Sequence, residues 1–302
     1  MVDKRSLFDY FFDAFIILVL LLILFSILYP FINALAISFN HADDTLRGGI
    51  TFYPRRFAYE SYRSIITNPV IWNAYFITLF RTVVGVGTAL LCTSLLAYGL
   101  SQSKLIGRKF YAIICLIPMY FTGGLIPYFL MIRAMGMMNH WSVFIVPSLI
   151  GLFNVILMRT YFQSIPDAIE EAALVDGANY IQIFFRIIFP ISTPIVATIC
   201  LFIGVWHWND WFIGTIFITS QNLKPMQNVL LSVISEARFL EQMAALVQQG
   251  MTGAARAGFG RPTNVRSLTM ATMFVTIFPV IIVYPFLQRY FIKGIMIGSI
   301  KG

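Results

Sequence analysis

The sequence predicts an all-α membrane protein with six transmembrane helices, and three observations lead there. Of 302 residues, 59% are hydrophobic and only 11% charged, well outside the composition of a soluble domain. The apolar residues gather into six runs long enough to cross a bilayer, which takes roughly 20 residues in helical form. Between the fourth and fifth runs lies an ordered charged stretch, Ser164 to Pro194, where a plain polar loop would suffice.

The first run, Ala14 to Ile37, is apolar apart from Ser26 and Asn33. It is too long for a signal-peptide core and has no small-residue cleavage site in the right place, which predicts a retained first span. Residues 39–70 are polar, with Arg47, Arg55, Arg56 and Arg63 among turn-forming Gly48, Gly49 and Pro54, and make the first large extramembrane loop. The second span covers Ile71 to Leu100. Gly85 and Gly87 allow a neighbouring helix to approach it closely. Arg81 is expected to snorkel to the interface, the alternative being a partner inside the bundle.

The third span, Phe110 to Ile132, contains Pro118, Gly123, Gly124 and Pro127, which should kink or break it. Broken backbone at membrane depth must lie inside protein or line a cavity. Arg133 to His140 is a brief loop, followed by a fourth span at Trp141 to Tyr161 with Pro147 and Gly151 inside it. The fifth span is Ile195 to Thr219 and the sixth Leu268 to Phe291, all within one transmembrane domain, residues 1–302. Cys92, Cys115 and Cys200 sit in apolar runs without metal-ligand spacing and read as small hydrophobes.

Six spans put both termini on one side. The short turn at 101–109 carries Lys104, Arg108 and Lys109, whereas the comparable 134–140 loop carries no Lys or Arg. The excess of positive charge in short inner loops therefore favours a cytoplasmic location for both termini and for the Ser164–Pro194 stretch.

That stretch, SIPDAIEEAALVDGANYIQIFFRIIFPISTP, reads as two short helices meeting at a glycine. Pro166 is tolerated in a first helical turn, and Asp167, Glu170 and Glu171 place negative charge at the positive end of the helix dipole. The helix should run to Val175. Gly177 permits a sharp turn, and a second helix from Asn179 to Ile188 continues until Pro190 and Pro194 bend the chain into the fifth span. The result is a compact knob.

Glu171-Ala172-Ala173, Gly177 and Phe189-Pro190 resemble the EAA signature of the integral membrane subunits of bacterial ABC importers. The fuller EAALVDGA and FPISTP look like the carbohydrate branch, similar to the maltose transporter's second permease, and the chain resembles the permease of an acidic oligosaccharide importer of the alginate type. Trp206-His207-Trp208-Asn209-Asp210 and the tail QRYFIKGIMIGSIKG extend the resemblance to roughly the whole chain. It implies a type I ABC importer permease fold with a cytoplasmic coupling helix over about 163–190. By that resemblance Glu170, Glu171, Ala172, Ala173, Asp176, Gly177 and Pro190 belong to the contact with the ATPase. Gly298, Lys301 and Gly302 would reach the same ATPase.

The resemblance also implies the partners: a second homologous permease, two ATP-binding subunits and an extracytoplasmic solute-binding protein, in the bacterial cytoplasmic membrane. The residues agree in one respect. No G-x-x-x-x-G-K-[ST] phosphate loop occurs, so this chain is expected to bind no cofactor, with ATP and magnesium held by the ATPase partners. Within the knob, Ala172 and Ala173 are small enough to seat in a cleft and Glu171 offers a charge to a basic partner.

Residues 220–267 form the second large outer loop. Met226, Val229, Leu230, Val233, Ile234, Ala237, Leu240, Ala244 and Val247 recur at helical spacing and predict an amphipathic helix. The glycine- and alanine-rich Gly250 to Gly260 follows. In similar permeases this loop meets the binding protein; the alternative is a lid over the membrane surface.

Trp206, Trp208, Asn209, Asp210 and Trp211 are candidates for a substrate path in the fifth span. A carboxylate in a span is costly unless it faces water or a partner, and aromatic faces beside hydrogen-bonding groups suit a sugar. A structural Asp210 holding helices together is the competing reading. On the outer loops Lys and Arg outnumber the acids Asp43, Asp44, Glu60, Glu236 and Glu241. That surplus suits a uronic-acid oligosaccharide such as an alginate fragment, an acidic binding protein, or anionic membrane lipid.

An ion-coupled secondary transporter would show intramembrane acids in matched halves, yet Asp210 stands nearly alone. An enzyme would need a catalytic cluster, yet His41, His140 and His207 are scattered without H-E-x-x-H or a nucleophile motif. The chain is expected to be non-catalytic, with no metal and no nucleic acid.

Overall fold

The computed structural model describes residues 7–45, 47–248 and 265–299. Among these the secondary structure is helical, with one isolated bridge pairing Asn40 and Phe57. Contacts divide the chain into two units, Met1–Pro69 with Leu230–Ile277 and Val70–Val229 with Phe278–Gly302.

In the first unit, α1 (Leu7–Ser38) is apolar around its whole circumference and its span window has no residue buried within the chain. A helix apolar on every face is stable only against lipid or other protein. Two short helices follow, α2 (Ala42–Thr45) and α3 (Glu60–Thr67), so the first polar loop is folded. Asn40 organises it. Its buried amide donates to Asp44 Oδ2 at 3.1 Å and to Thr45 Oγ1 at 3.0 Å, and its carbonyl oxygen accepts from the Arg56 N–H at 2.9 Å. Arg55 Nε adds a 3.0 Å contact to the same Asp44 oxygen. The hydrogen bond from Asn40 to Asp44, and then the Arg55 guanidinium, hold the Asp44 carboxyl below its ordinary range.

The second unit is built on α4 (Pro69–Ser101), which carries the predicted second span. Next come α5 (Arg108–Tyr120) and α6 (Leu125–Ala134), bent by 113° across Phe121–Gly124. The expected break in the third span is therefore a turn past a right angle. The fourth predicted span is likewise a bent pair: a 3-10 segment at Trp141–Ser148 meets α7 (Leu152–Phe162) at 43°. Pro147 and Gly151 explain the irregular start, since neither favours a continuous α-helix there.

The knob consists of α8 (Asp167–Val175), α9 (Tyr180–Ile183), a π-helical turn at Phe184–Ile188 and α10 (Phe189–Ile191). The fifth span begins as α11 (Thr193–Asn209), stops at Asp210 and resumes as α12 (Phe212–Ile216). The amphipathic segment forms α13 (Met226–Gln248), in which Met226, Val229 and Ala237 are buried. Finally α14 (Val265–Ser299) contains the sixth span. Among the described residues four helices are long and apolar enough to cross a membrane unbroken, and counting each bent pair as one span gives six. The second outer loop's Gly250 to Gly260 lies outside the described residues.

Candidate functional site

The knob is fixed by its own local chemistry. Gly177 ends α8 with φ +84°, a left-handed conformation that costs other residues roughly 1–2 kcal/mol. Two residues on, Asn179 and Gln182 form a capping box: the Gln182 N–H donates to Asn179 Oδ1 and the Asn179 N–H to Gln182 Oε1, each at 2.9 Å. The π turn follows because Pro190 has no N–H to donate to Arg186. The preceding Phe189 N–H reaches back five residues to the Phe184 carbonyl instead.

Packing then decides which knob residues face outward. Ala173 is buried at 7% exposure in a core with Phe162, Ile183, Phe184 and Ile188, which the C-terminal part of α4 and α11 complete through Ala97 and Ile199. It does not seat in a partner's cleft, contrary to the expectation from its size, because the α8 helix turns it toward α7. Glu170 also turns inward, accepting a 3.0 Å hydrogen bond from Gln102 Nε2 at the end of α4. Glu171, Ala172, Asp176 and Gly177 are exposed. Val175, which the sequence did not single out, is 87% exposed at the tip. Pro190 lies in α10, between the knob and α11. Of the tail candidates, Gly298 lies in the last described turn of α14, and Lys301 and Gly302 lie outside the described residues.

At the other end of α11 is a cavity of about 930 Å³. Trp206, Asn209, Asp210 and Trp211 line it, together with Tyr128 and Tyr284, which sequence reasoning missed because each lies on another helix. Trp208 does not line it. One residue in α11 rotates a side chain by about 100°, and Trp208 is buried on another face, edge-on to Tyr75 of α4 at 6.3 Å between ring centroids. Asn209 Oδ1 accepts a long 3.4 Å contact from Gln227 of α13.

Asp210 is the hinge of the span. Its N–H closes α11 by donating to the Trp206 carbonyl, and its Oδ1 accepts from the Phe212 and Ile213 N–H groups to open α12. Its other oxygen, Oδ2, meets Arg81 Nη2 at 2.7 Å. Arg81 is 1% exposed and its guanidinium carbon lies 4.4 Å from the Phe144 ring centroid. Arg81 therefore does not snorkel: it sits more than three turns into α4, opposite a carboxylate that offers a better partner than the distant interface. One turn further, the buried His207 ring presses on Gly85, where an added Cβ would overlap the imidazole.

The α4 face that holds this hinge also holds the start of α13. Thr78 Oγ1 accepts from the Met226 N–H at 2.8 Å, and Asn73 donates to the Asn222 carbonyl at 2.7 Å. Asn228 completes the join to α12 by donating to the Trp211 carbonyl and to Thr215 Oγ1.

No protein-family model matches the chain. Over 300 residues it is 33% identical to the polygalacturonan/rhamnogalacturonan transport system permease protein YtcP of Bacillus subtilis (strain 168), covering 99% of this chain and 100% of that protein. Protein LplC of the same organism is 31% identical over 275 residues, covering 91% of this chain and 90% of its own. Among solved structures, a bacterial ABC transporter involved in the import of the acidic polysaccharide alginate has a chain that matches with a TM-score of 0.85 and 29% identity, covering 96% of this chain and 100% of that one. YtcP is by name a transport-system permease and not an enzyme, and at 33% identity over its full length the chain belongs with it to the integral-membrane permease subunits of carbohydrate ABC transport systems.

Proposed function

We propose that this permease carries an acidic oligosaccharide inward across the bacterial cytoplasmic membrane, with both termini and the knob in the cytoplasm. The alginate importer's fold and the polygalacturonan system's permease are similar to this chain, and uronic acids are the chemistry common to their names. Two ATP-binding subunits dock on the knob and hold the ATP and magnesium, a second permease completes the passage, and a solute-binding protein delivers the sugar to the outer loops.

One observation carries the mechanism. Helix α11 begins where the knob ends, at Thr193, and finishes at the cavity, at Asn209. The knob shares a continuous apolar core with α4, α7 and α11, so a push on its exposed face moves α11 as a rigid piece. Closure of the ATPase subunits would thereby reach Trp206, Asn209 and Trp211 on the cavity wall and change which side the cavity faces. Glu171, Ala172, Val175 and Asp176 make the docking contact, Glu170 and Ala173 brace it from within, and Gly177 sets its angle. Asp210 is bound within the protein by Arg81 and two backbone amides, which leaves it poorly suited to the ion-coupled alternative.

The deciding experiment is ATPase activity of the purified complex in lipid, with the binding protein loaded in turn by neutral and by uronic-acid oligosaccharides. Stimulation by the acidic sugars is expected. Stimulation by neutral sugars alone would overturn the substrate assignment, and an absence of any ATPase partner would overturn the coupling mechanism.

A further inference from the structure

The cavity presents an unusual wall for a passage that takes acidic sugars. Among the described residues that line it, Asp210 is the one carboxylate, and neither lysine nor arginine is present. Trp206, Trp211, Tyr128 and Tyr284 offer faces and edges for sugar rings, and Asn209 offers a neutral amide. His207 borders the cavity but is wholly buried, its ring set against Gly85.

A lone carboxylate there would repel a uronate, since like charges roughly 8 Å apart in a partly hydrated cleft still interact appreciably. Arg81 removes that charge from behind the wall. It lines no part of the cavity, yet its Nη2 lies 2.7 Å from Asp210 Oδ2 and its Nη1 donates to the Asp210 carbonyl at 3.3 Å. Asp210 Oδ1 is meanwhile held by the N–H groups of Phe212 and Ile213. Both oxygens are thus engaged, and the pair is neutral as a whole.

We infer that Arg81 is a positioning residue that sets the charge specificity of this permease: by cancelling Asp210 it keeps the cavity wall neutral, so that anionic and neutral sugars pass alike. Discrimination for carboxylates then belongs to the binding protein or the partner permease, and this subunit contributes stacking and neutral hydrogen bonds. The inference rests on the oligosaccharide reading above and adds to it a division of labour.

The test is uptake into proteoliposomes holding the whole complex, with binding protein brought to equal occupancy by trigalacturonate or by its fully methyl-esterified, neutral form. Wild-type complex should move both. Arg81→Gln should lower the ratio of acidic to esterified uptake by about tenfold, by exposing the Asp210 charge. Asp210→Asn should raise the ratio, and the double variant should restore it to the wild-type value. Arg81→Lys, which keeps the charge, should leave it unchanged.

A purely structural ion pair would lower uptake of both sugars in the single variants and leave the ratio still. That result would overturn the inference while leaving the substrate assignment intact. So would a wild-type complex that refuses the ester at equal occupancy. A wild-type complex that moves neither sugar would overturn the substrate assignment itself.

Discussion

Gln102 and Glu170, 68 positions apart, are joined by a 3.0 Å hydrogen bond that ties the first knob helix to the end of α4. Glu170 thus braces the knob against its own membrane helix, while its neighbour Glu171 faces outward. Glu170→Ala would leave Gln102 without this acceptor and cost about 1 kcal/mol, loosening the knob without unfolding the protein. The expected result is basal ATPase activity close to wild type with less sugar transported per ATP hydrolysed. Glu170→Gln, which retains an acceptor, should recover most of the coupling.

Two adjacent alanines should respond in opposite ways. Ala173→Leu adds volume to a filled core against Phe162 and Phe184, and overpacking of that kind costs about 1–3 kcal/mol. A lower melting temperature of the detergent-purified complex is expected. Ala172→Leu projects from an exposed position and should leave the melting temperature unchanged while weakening retention of the ATPase subunits on purification.

Val175 is the exposed apolar tip of α8, and a buried anchor at the centre of an interface carries about 2 kcal/mol or more. Val175→Asp should therefore weaken ATPase-subunit binding by roughly thirtyfold, read by co-purification at graded dilution. An added Cβ at Gly177 meets no neighbour within 4 Å, but Gly177→Val must adopt φ +84°. We expect a folded, inserted protein with a shifted knob, in which ATP hydrolysis no longer drives uptake.

His207 and Gly85 fit only as a pair. Gly85→Ala places a methyl group against the imidazole, forcing α4 and α11 apart and destabilising the complex by about 1–3 kcal/mol. The double variant Gly85→Ala with His207→Ala removes the clash and should recover stability, as measured by thermal unfolding in detergent.

The first extramembrane loop should loosen in acid. Asp44 is held below its ordinary pKa, first by Asn40 and then by Arg55, so its charged form is favoured in the folded loop. That contribution is fully present above the unfolded value of about 3.9. It is lost as pH falls through the lower folded value. Hydrogen exchange of the amides of residues 40–56 should accelerate below about pH 4, and Asp44→Asn should remove most of that pH dependence.

The sequence by itself determined the membrane character, the approximate position of the apolar segments, the knob and its glycine, and the amphipathic helix that precedes Gly250. These follow from properties that lie along the chain: hydropathy sustained over a span length, proline and glycine at fixed places, and apolar residues at helical spacing. The break at Gly123 and Gly124 was legible for the same reason, though not its angle of 113°.

Only the tertiary structure decided which way each side chain points and what it meets. Arg81 finds Asp210 across 129 positions, a distance along the chain at which no local pattern operates, so an arginine in an apolar run read as one reaching for the interface. Ala172 and Ala173 are alike in sequence and opposite in fate, because one helical step of about 100° separates solvent from core. Two such steps, about 200° of helical rotation, divide Trp206, on the cavity wall, from Trp208, which packs against Tyr75.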